Sequence, residues 1–260
     1  MTMAQSPAQT LARYAPQITV FVAVVIAWEV IVRALNIPRF LLPAPSVIVA
    51  ALIATFGTVI ESAWYTLRNA LLGFLIGCGA GIAVALATAR WATVREGLLP
   101  VAIAVNSIPI IAFAPITNNW FGSNNPLSKV AIVVLITFFP TMINTVRGLT
   151  LVEPAKLELM RSYAVSELVV LTKVRIPNAL PYVFNAFKVC SALSLIGAIV
   201  AEYFGGPRKS LGVYILQEAQ LFRFDNAWAA IIIASVLGIA FYLVVLAAER
   251  KLIPWHVSVD

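Results

Sequence analysis

Few side chains in this chain of 260 residues could do chemistry, and their spacing narrows what that chemistry could be. The single histidine, His256, stands in the last few residues, where an idle tail histidine is the expectation. Cys78 and Cys190 are far apart, each inside an apolar run, with no CxxC and no metal-ligand spacing, so packed thiols are expected. No G-x-x-x-x-G-K-[ST] phosphate loop occurs, which removes that route to ATP binding. Neither G-x-S-x-G nor H-E-x-x-H occurs. No cofactor, no metal and no catalytic residue is expected, and the chain is not expected to be an enzyme.

What remains are polar groups set in apolar surroundings. Lys188 lies well inside an apolar run and has two readings: its stem snorkels to a headgroup layer, or its charge faces a pathway. Glu29 and Arg33 are spaced to pair on one helix face. Glu202 closes another apolar run, as a solvated carboxylate or a gate. Asn106, Ser107, Pro109 and Pro115 interrupt a third run and leave backbone carbonyls without donors. Such backbone is tolerated at membrane depth when it is buried or lines a watery cavity, and transporters place it near substrate; a plain proline kink is the other reading. Asn118 and Asn119 precede Trp120, in a pathway or in an outer loop. Gly73, Gly77 and Gly81 recur at helical spacing, which lets two helices approach closely in lipid.

The elements that must position these residues follow from composition. Of the chain, 61% is hydrophobic and 11% charged, against about 25% charged in an ordinary soluble domain. Most of the surface therefore faces something other than water. A span needs about 20 mostly apolar residues, and six segments qualify: 18–35, 67–89, 97–117, 129–146, 182–201 and 227–248. Pro140 within the fourth offers a tilt or a break. The expected fold class is an all-α membrane protein of about six transmembrane helices. An N-terminal segment at 1–17, a membrane domain at 18–250 and a tail at 251–260 are expected, the first span being retained and not cleaved.

The net charge of +7 fits the positive-inside bias better than nucleic-acid binding, because Lys and Arg stand singly at the ends of apolar runs. With the N-terminus in the cytoplasm, that side collects Arg13, Arg90, Arg95, Arg147, Lys156, Arg161, Lys173, Arg175, Lys188, Arg250 and Lys251. The outer side then holds fewer: Arg33, Arg39, Arg68, Lys129, Arg208, Lys209 and Arg223. Both termini are expected to be cytoplasmic.

The link between spans four and five, 148–178, is polar, rich in helix formers and on the basic side. Pro154 after Glu153 suits the first turn of a short helix. Ser166 is a candidate N-cap for a second, running to about residue 174 and closed by Pro177 and Pro181. A mere connector needs less ordered chain, so a docking element for a cytoplasmic partner is expected.

At this link a resemblance becomes specific. Permeases of binding-protein-dependent ATP-binding-cassette importers carry a loop of the form E-A-A-x3-G-x9-I-x-L-P. Here Glu158, Leu159 and Met160 occupy the E-A-A places, Ala164 the glycine place, Val174 and Ile176 the aliphatic places and Pro177 the last. The spacing matches throughout, with alanine for glycine and larger residues for the A-A pair. The stretches LPAPS at 42–46, NSIPIIAFAPITNNWFG at 106–122, FFPTMINTVRG at 138–148 and IGAIVAEYFGG at 196–206 resemble the nitrate, sulfonate, taurine and thiamine-precursor permeases. The likeness covers about 28–246.

The resemblance implies a type I importer permease fold in a bacterial inner membrane. It implies a second permease subunit, as a homodimer, ATPase subunits docked below, and a periplasmic binding protein above. It implies that the Glu158 helix seats on the ATPase and couples hydrolysis to transport. Substrates of such permeases include small anions, sulfonates and nitrogen heterocycles; an amide pair at Asn118 and Asn119 suits an uncharged heterocycle at least as well as an anion. The rival from another class, a stand-alone secondary carrier, predicts an internal repeat, and 148–178 has no counterpart earlier in the chain.

Overall fold

The computed structural model describes residues 7–88 and 91–255. His256, Arg90 and the first six residues lie outside the described residues. The chain is helical: α1 Pro7–Ala34, α2 Pro45–Thr88, α3 Ala92–Asn106, α4 Ala114–Phe121, α5 Pro126–Thr150, α6 Pro154–Ser162, α7 Glu167–Val170, α8 Ile176–Tyr203, α9 Leu211–Gln220 and α10 Phe224–Leu252. A 3-10 turn, Ile110–Phe113, precedes α4, and a π turn, Leu171–Arg175, precedes α8.

Among the described residues, five helical stretches are long and apolar enough to cross a membrane, and a bent pair makes a sixth. That pair is the expected broken third span: Pro100–Asn106 and Ile110–Phe121 meet at 70°. The break falls at 107–109, where Pro109 has no N–H to continue the ladder, and Pro115 sits in the first turn of α4, where none is needed.

Two spans differ from expectation. Helix α2 has 44 residues and begins with Pro45 of the LPAPS stretch. At 1.5 Å per residue it is about 66 Å long, twice a hydrocarbon core of about 30 Å. Its first half escaped notice because Glu61, Thr66 and Arg68 interrupt the apolar run without interrupting the helix. Pro177 and Pro181 do not close a helix. The path from Glu167 to Tyr203 is one continuous helical stretch of 37 residues. The π turn is the reason: Ile176 N–H bonds the carbonyl of Leu171, five residues back, and this shifted register accommodates Pro177 in the first turn of α8. Helix α5 also runs unbroken through Pro140.

The chain forms two compact units. In the first, Met1–Thr58 with Ile215–Ile231, Glu29 serves as an anionic cap on α2. Its carboxylate accepts from the backbone N–H of Ser46 at 3.0 Å and the Ser46 hydroxyl at 2.8 Å, and it pairs with Arg33. A carboxylate at a helix N-terminus satisfies orphan N–H groups and complements the dipole. The expected Glu29–Arg33 pair is thus also the anchor of the longest helix. Trp28 and Trp228 meet edge to face at 5.4 Å.

In the second unit, Val59–Tyr214 with Ile232–Asp260, α5 and α8 pack along much of their lengths. The glycine stripe of α2 lies on α5. A Cβ on Gly77 would stand 2.1 Å from the Thr137 hydroxyl and 2.7 Å from the Val134 carbonyl; one on Gly81 would stand 2.8 Å from the Phe138 carbonyl. Helix packing without side chains between the backbones explains the stripe. Cys78 and Cys190 are buried free thiols. The Thr141 hydroxyl bonds the Cys78 sulfur at 3.2 Å and lies 3.5 Å from that of Cys190. Large apolar side chains such as Phe21, Ile53, Leu75, Ile239 and Val244 are exposed, as suits a surface solvated by lipid tails.

Candidate functional site

The residues singled out above fall into three places, two of them at opposite ends of α8. The first is the link after α5. Helix α6 starts with Pro154 in its first turn and ends in a Schellman motif. Tyr163 caps it, Ala164 N–H bonds the Arg161 carbonyl at 2.9 Å, and Val165 N–H reaches the Met160 carbonyl at 3.4 Å. The motif needs a left-handed residue, and Ala164 has φ +50°. This is the glycine place of the loop motif, and the geometry gives its physical reason.

The motif residues then divide by role. Glu158 is exposed and Leu159 is 53% exposed. Leu159, Met160, Val174 and Pro177 line a groove of about 440 Å³ between α6 and the base of α8, with Lys156, Lys173, Asn178, Pro181 and Trp255 completing it. Ile176 turns away and packs on the core of Met142, Val146, Leu149 and Ala179. Around α6 stand further exposed apolar side chains: Leu151 at 62%, Tyr163 at 70% and Leu168 at 68%. Ser166 occupies the N-cap position of α7, yet its side chain makes no capping bond.

The link is tied at its neck. The Asn178 amide donates to the carbonyls of Gly148 at 2.8 Å and Leu151 at 3.1 Å, closing the C-terminus of α5 onto the start of α8. Gly148 allows the crossing, since a Cβ there would lie 2.7 Å from Ala179 Cα. Asn178 and Gly148 carry no signal in the sequence beyond their places at the margins of the link.

The second place is the other end of α8. Glu202 is fully buried. Its carboxylate accepts from the Thr66 hydroxyl at 2.9 and 3.0 Å and from Gly212 N–H at 2.8 Å, while Thr66 also accepts from Leu211 N–H at 2.9 Å. It therefore locks α8 to α2 and caps α9. It is not solvated, as one sequence reading had it. Lys129, read from the charge pattern as an outer-margin cation, is 1% exposed. Its ammonium donates to Asn118 Oδ1 at 3.0 Å, the Ser128 hydroxyl at 2.9 Å and the Ser123 carbonyl, and it attracts Glu202. Asn118 in turn donates to the Phe204 carbonyl at 3.1 Å. Asn118 is thus a clamp between α4, α5 and α8, whereas Asn119 and Trp120 are exposed. Burial of Lys129, Thr66 and Gly212 in one network was invisible in sequence because they stand on different helices.

The third place is the broken span. Asn106, Ser107 and Pro109 are exposed at the bend, with the Ser107 hydroxyl bonded to the Ile103 carbonyl at 3.0 Å. Lys188 stands apart from this bend, in an ion pair with α10. Its ammonium is 3.0 Å from the Glu249 carboxylate on α10, with side chains 12% and 3% exposed.

Residues 73–254 match the family model described as binding-protein-dependent transport system inner membrane component. Similar proteins include the formylaminopyrimidine transport permease ThiX of Halalkalibacterium halodurans, 31% identical over 241 residues, covering 91% of this chain and 94% of that protein. The riboflavin transport permease RibX of Chloroflexus aurantiacus is 29% identical over 89% of this chain and 86% of its own. The putative aliphatic sulfonates transport permease SsuC of Bacillus subtilis is 29% identical over 92% of this chain and 87% of its own. Among solved structures, an amino acid ABC transporter superposes with a TM-score of 0.60 at 18% identity, covering 78% of this chain and 97% of that one; at that identity the likeness is one of fold.

Proposed function

The chain belongs to the family of inner-membrane components of binding-protein-dependent transport systems, and from that premise we propose that it forms the translocation pathway of an ATP-driven importer whose ATPase docks on α6. The observation that carries this reading is the tied, exposed link. A short helix locked by Pro154, Schellman-capped at Ala164 and necked by Asn178 is a stiff lever. With the start of α7 it presents Glu158, Leu159, Tyr163 and Leu168 to a partner, the mixture of charge and desolvatable apolar surface from which interfaces are built.

In this reading α6 faces the cytoplasm, as do both termini, and a second copy of the chain completes the pathway. A periplasmic binding protein delivers the solute at the Glu202 end of α8. ATP binding draws two α6 helices together, and the Gly148–Asn178 neck passes that motion to α5 and α8. The bent span offers Asn106 and Ser107 to the solute, with Asn119 near its mouth. Asn118, Lys188 and Glu202 frame the pathway by holding its helices. Neutral amide and hydroxyl groups at the bend favour an uncharged nitrogen heterocycle, the class named for the pyrimidine and riboflavin relatives, over a sulfonate. Radiolabelled uptake of a pyrimidine, a flavin precursor and an alkylsulfonate by cells expressing the system tests this; uptake of the sulfonate alone overturns the substrate assignment.

The coupling assignment is tested by Glu158→Lys. The expected outcome is normal insertion with weakened co-purification of the ATPase and uptake reduced about tenfold or more, as for reversal of an interfacial charge. Unchanged uptake by that variant rejects the assignment.

A further inference from the structure

The groove behind α6 has chemistry that docking of a protein partner does not need. Its inner wall is Val174, Pro177 and Pro181 of the π turn and α8, the stretch that continues as a membrane span. Its edge carries two ammonium groups, Lys156 and Lys173, and an aromatic residue, Trp255, that stands three residues beyond the end of α10 and is 63% exposed. Lys173 has no carboxylate partner among the described residues. Lys156 pairs with Glu153 at 3.3 Å, but both side chains are about 60% exposed, and such a pair is weak enough to exchange for another anion. Glu158 and Glu167 are the other carboxylates on this link, and neither lines the groove. Arg161, Arg175, Arg250 and Lys251 lie on the adjoining elements, so the surroundings are basic.

We propose that this groove holds the phosphate headgroup of an anionic membrane phospholipid. Lys156 and Lys173 pair with the phosphate, the upper acyl carbons lie on Met160 and Pro181, and the Trp255 ring sits at headgroup level, where aromatic and basic residues concentrate. A groove of about 440 Å³ is in the size range of small-molecule sites. A bound lipid bridges α6 to the base of α8, so the stiffness of the lever depends on the anionic lipid content of the membrane.

The full chain, purified and reconstituted in nanodiscs of phosphatidylcholine with phosphatidylglycerol, is released into the gas phase and its retained lipids are weighed by native mass spectrometry. Wild type is expected to retain phosphatidylglycerol over phosphatidylcholine. Each of Lys156→Ala and Lys173→Ala is expected to lower that preference about fivefold, the effect of one basic residue at an anionic surface. The Lys156→Arg, Lys173→Arg pair keeps the charge and is expected to keep the preference, which separates loss of the site from loss of the fold; if the arginine pair loses it too, the proposal fails. Lys209→Ala, at the other end of α8, is the control and leaves the preference intact. A preference unchanged by both alanine substitutions overturns the proposal, as does complete displacement by inorganic phosphate alone, which would make the groove a free-anion site. Lipid retention is read without the ATPase, so its failure leaves the coupling role of Glu158 standing, and the reverse.

Discussion

At the residue scale, three side chains act through what they satisfy. Ala164 stands at φ +50°, which costs an L-residue about 1–2 kcal/mol, offset in part by the backbone entropy that glycine would lose on folding, about 0.5–1 kcal/mol. Ala164→Gly is therefore expected to stabilise the link by about 0.5–1 kcal/mol, measured as slower limited proteolysis between α6 and α7; Ala164→Val should do the opposite. The buried pair Lys188–Glu249 invites a double-mutant cycle. Lys188→Met alone is expected to destabilise by about 3–5 kcal/mol, because it strands a buried carboxylate. Adding Glu249→Gln should recover most of that loss in thermal unfolding of the detergent-solubilised protein. No recovery would mean the two residues stabilise independently, and the pairing seen here would not be what matters.

At the element scale, helix crossings carry the architecture. The stripe Gly73, Gly77 and Gly81 sets α2 on the backbone of α5. Gly77→Ala places a methyl into Thr137 and Val134, an overpacking expected to cost about 1–3 kcal/mol; Gly79→Ala, which meets nothing within 4 Å, is the matched control in the same melting experiment. The neck of the link is the second crossing. Asn178→Leu removes both bonds to the Gly148 and Leu151 carbonyls and should raise amide hydrogen exchange across Leu151, Val152 and Glu153 while the exchange of α10 stays unchanged. If the link is a lever, the same variant loses transport per ATP hydrolysed more than it loses ATP hydrolysis.

At the scale of the whole molecule, the surface is apolar as well as the core, and the helix interfaces also hold hydroxyls. Phe21, Ile53, Leu75 and Val244 face outward, whereas Thr137, Thr141, Thr145, Ser191 and Ser194 are buried. Thr141 bonds the Cys78 sulfur on α2; the others are satisfied on their own helices, Thr137 donating to the Val133 carbonyl at 2.8 Å, Thr145 to Thr141 at 2.7 Å, Ser191 to Lys188 at 2.7 Å and Ser194 to Ser191 at 2.9 Å. This back-bonding lets hydroxyls sit in a helix interface without an unpaired donor. Among the described residues, burial of charge is confined to pairs and networks, Lys129 with Asn118 near Glu202, and Lys188 with Glu249, as the cost of desolvating a lone charge requires.

The sequence alone determined the class of molecule. Spans are long apolar runs whose length is set by the bilayer, so six of them, the break at Pro109 and the helical link at 148–178 were legible without coordinates. So was the spacing of the loop motif, because spacing along one short segment preserves the pattern. What only the tertiary structure decided are relations between distant segments. Nothing local distinguishes Lys129 as an outer-margin cation from Lys129 bonded to Asn118 and Ser123, or Glu202 in solvent from Glu202 capping α9. The start of α2 is fixed in the same pairwise way, by Glu29 of another helix accepting from Ser46. The continuity through Pro177 rests on a π turn, a backbone register that residue types do not announce. Hydrophobicity is additive along the chain and can be summed in one dimension; hydrogen-bond and charge complementarity are pairwise, and the pairs exist only once the helices have met.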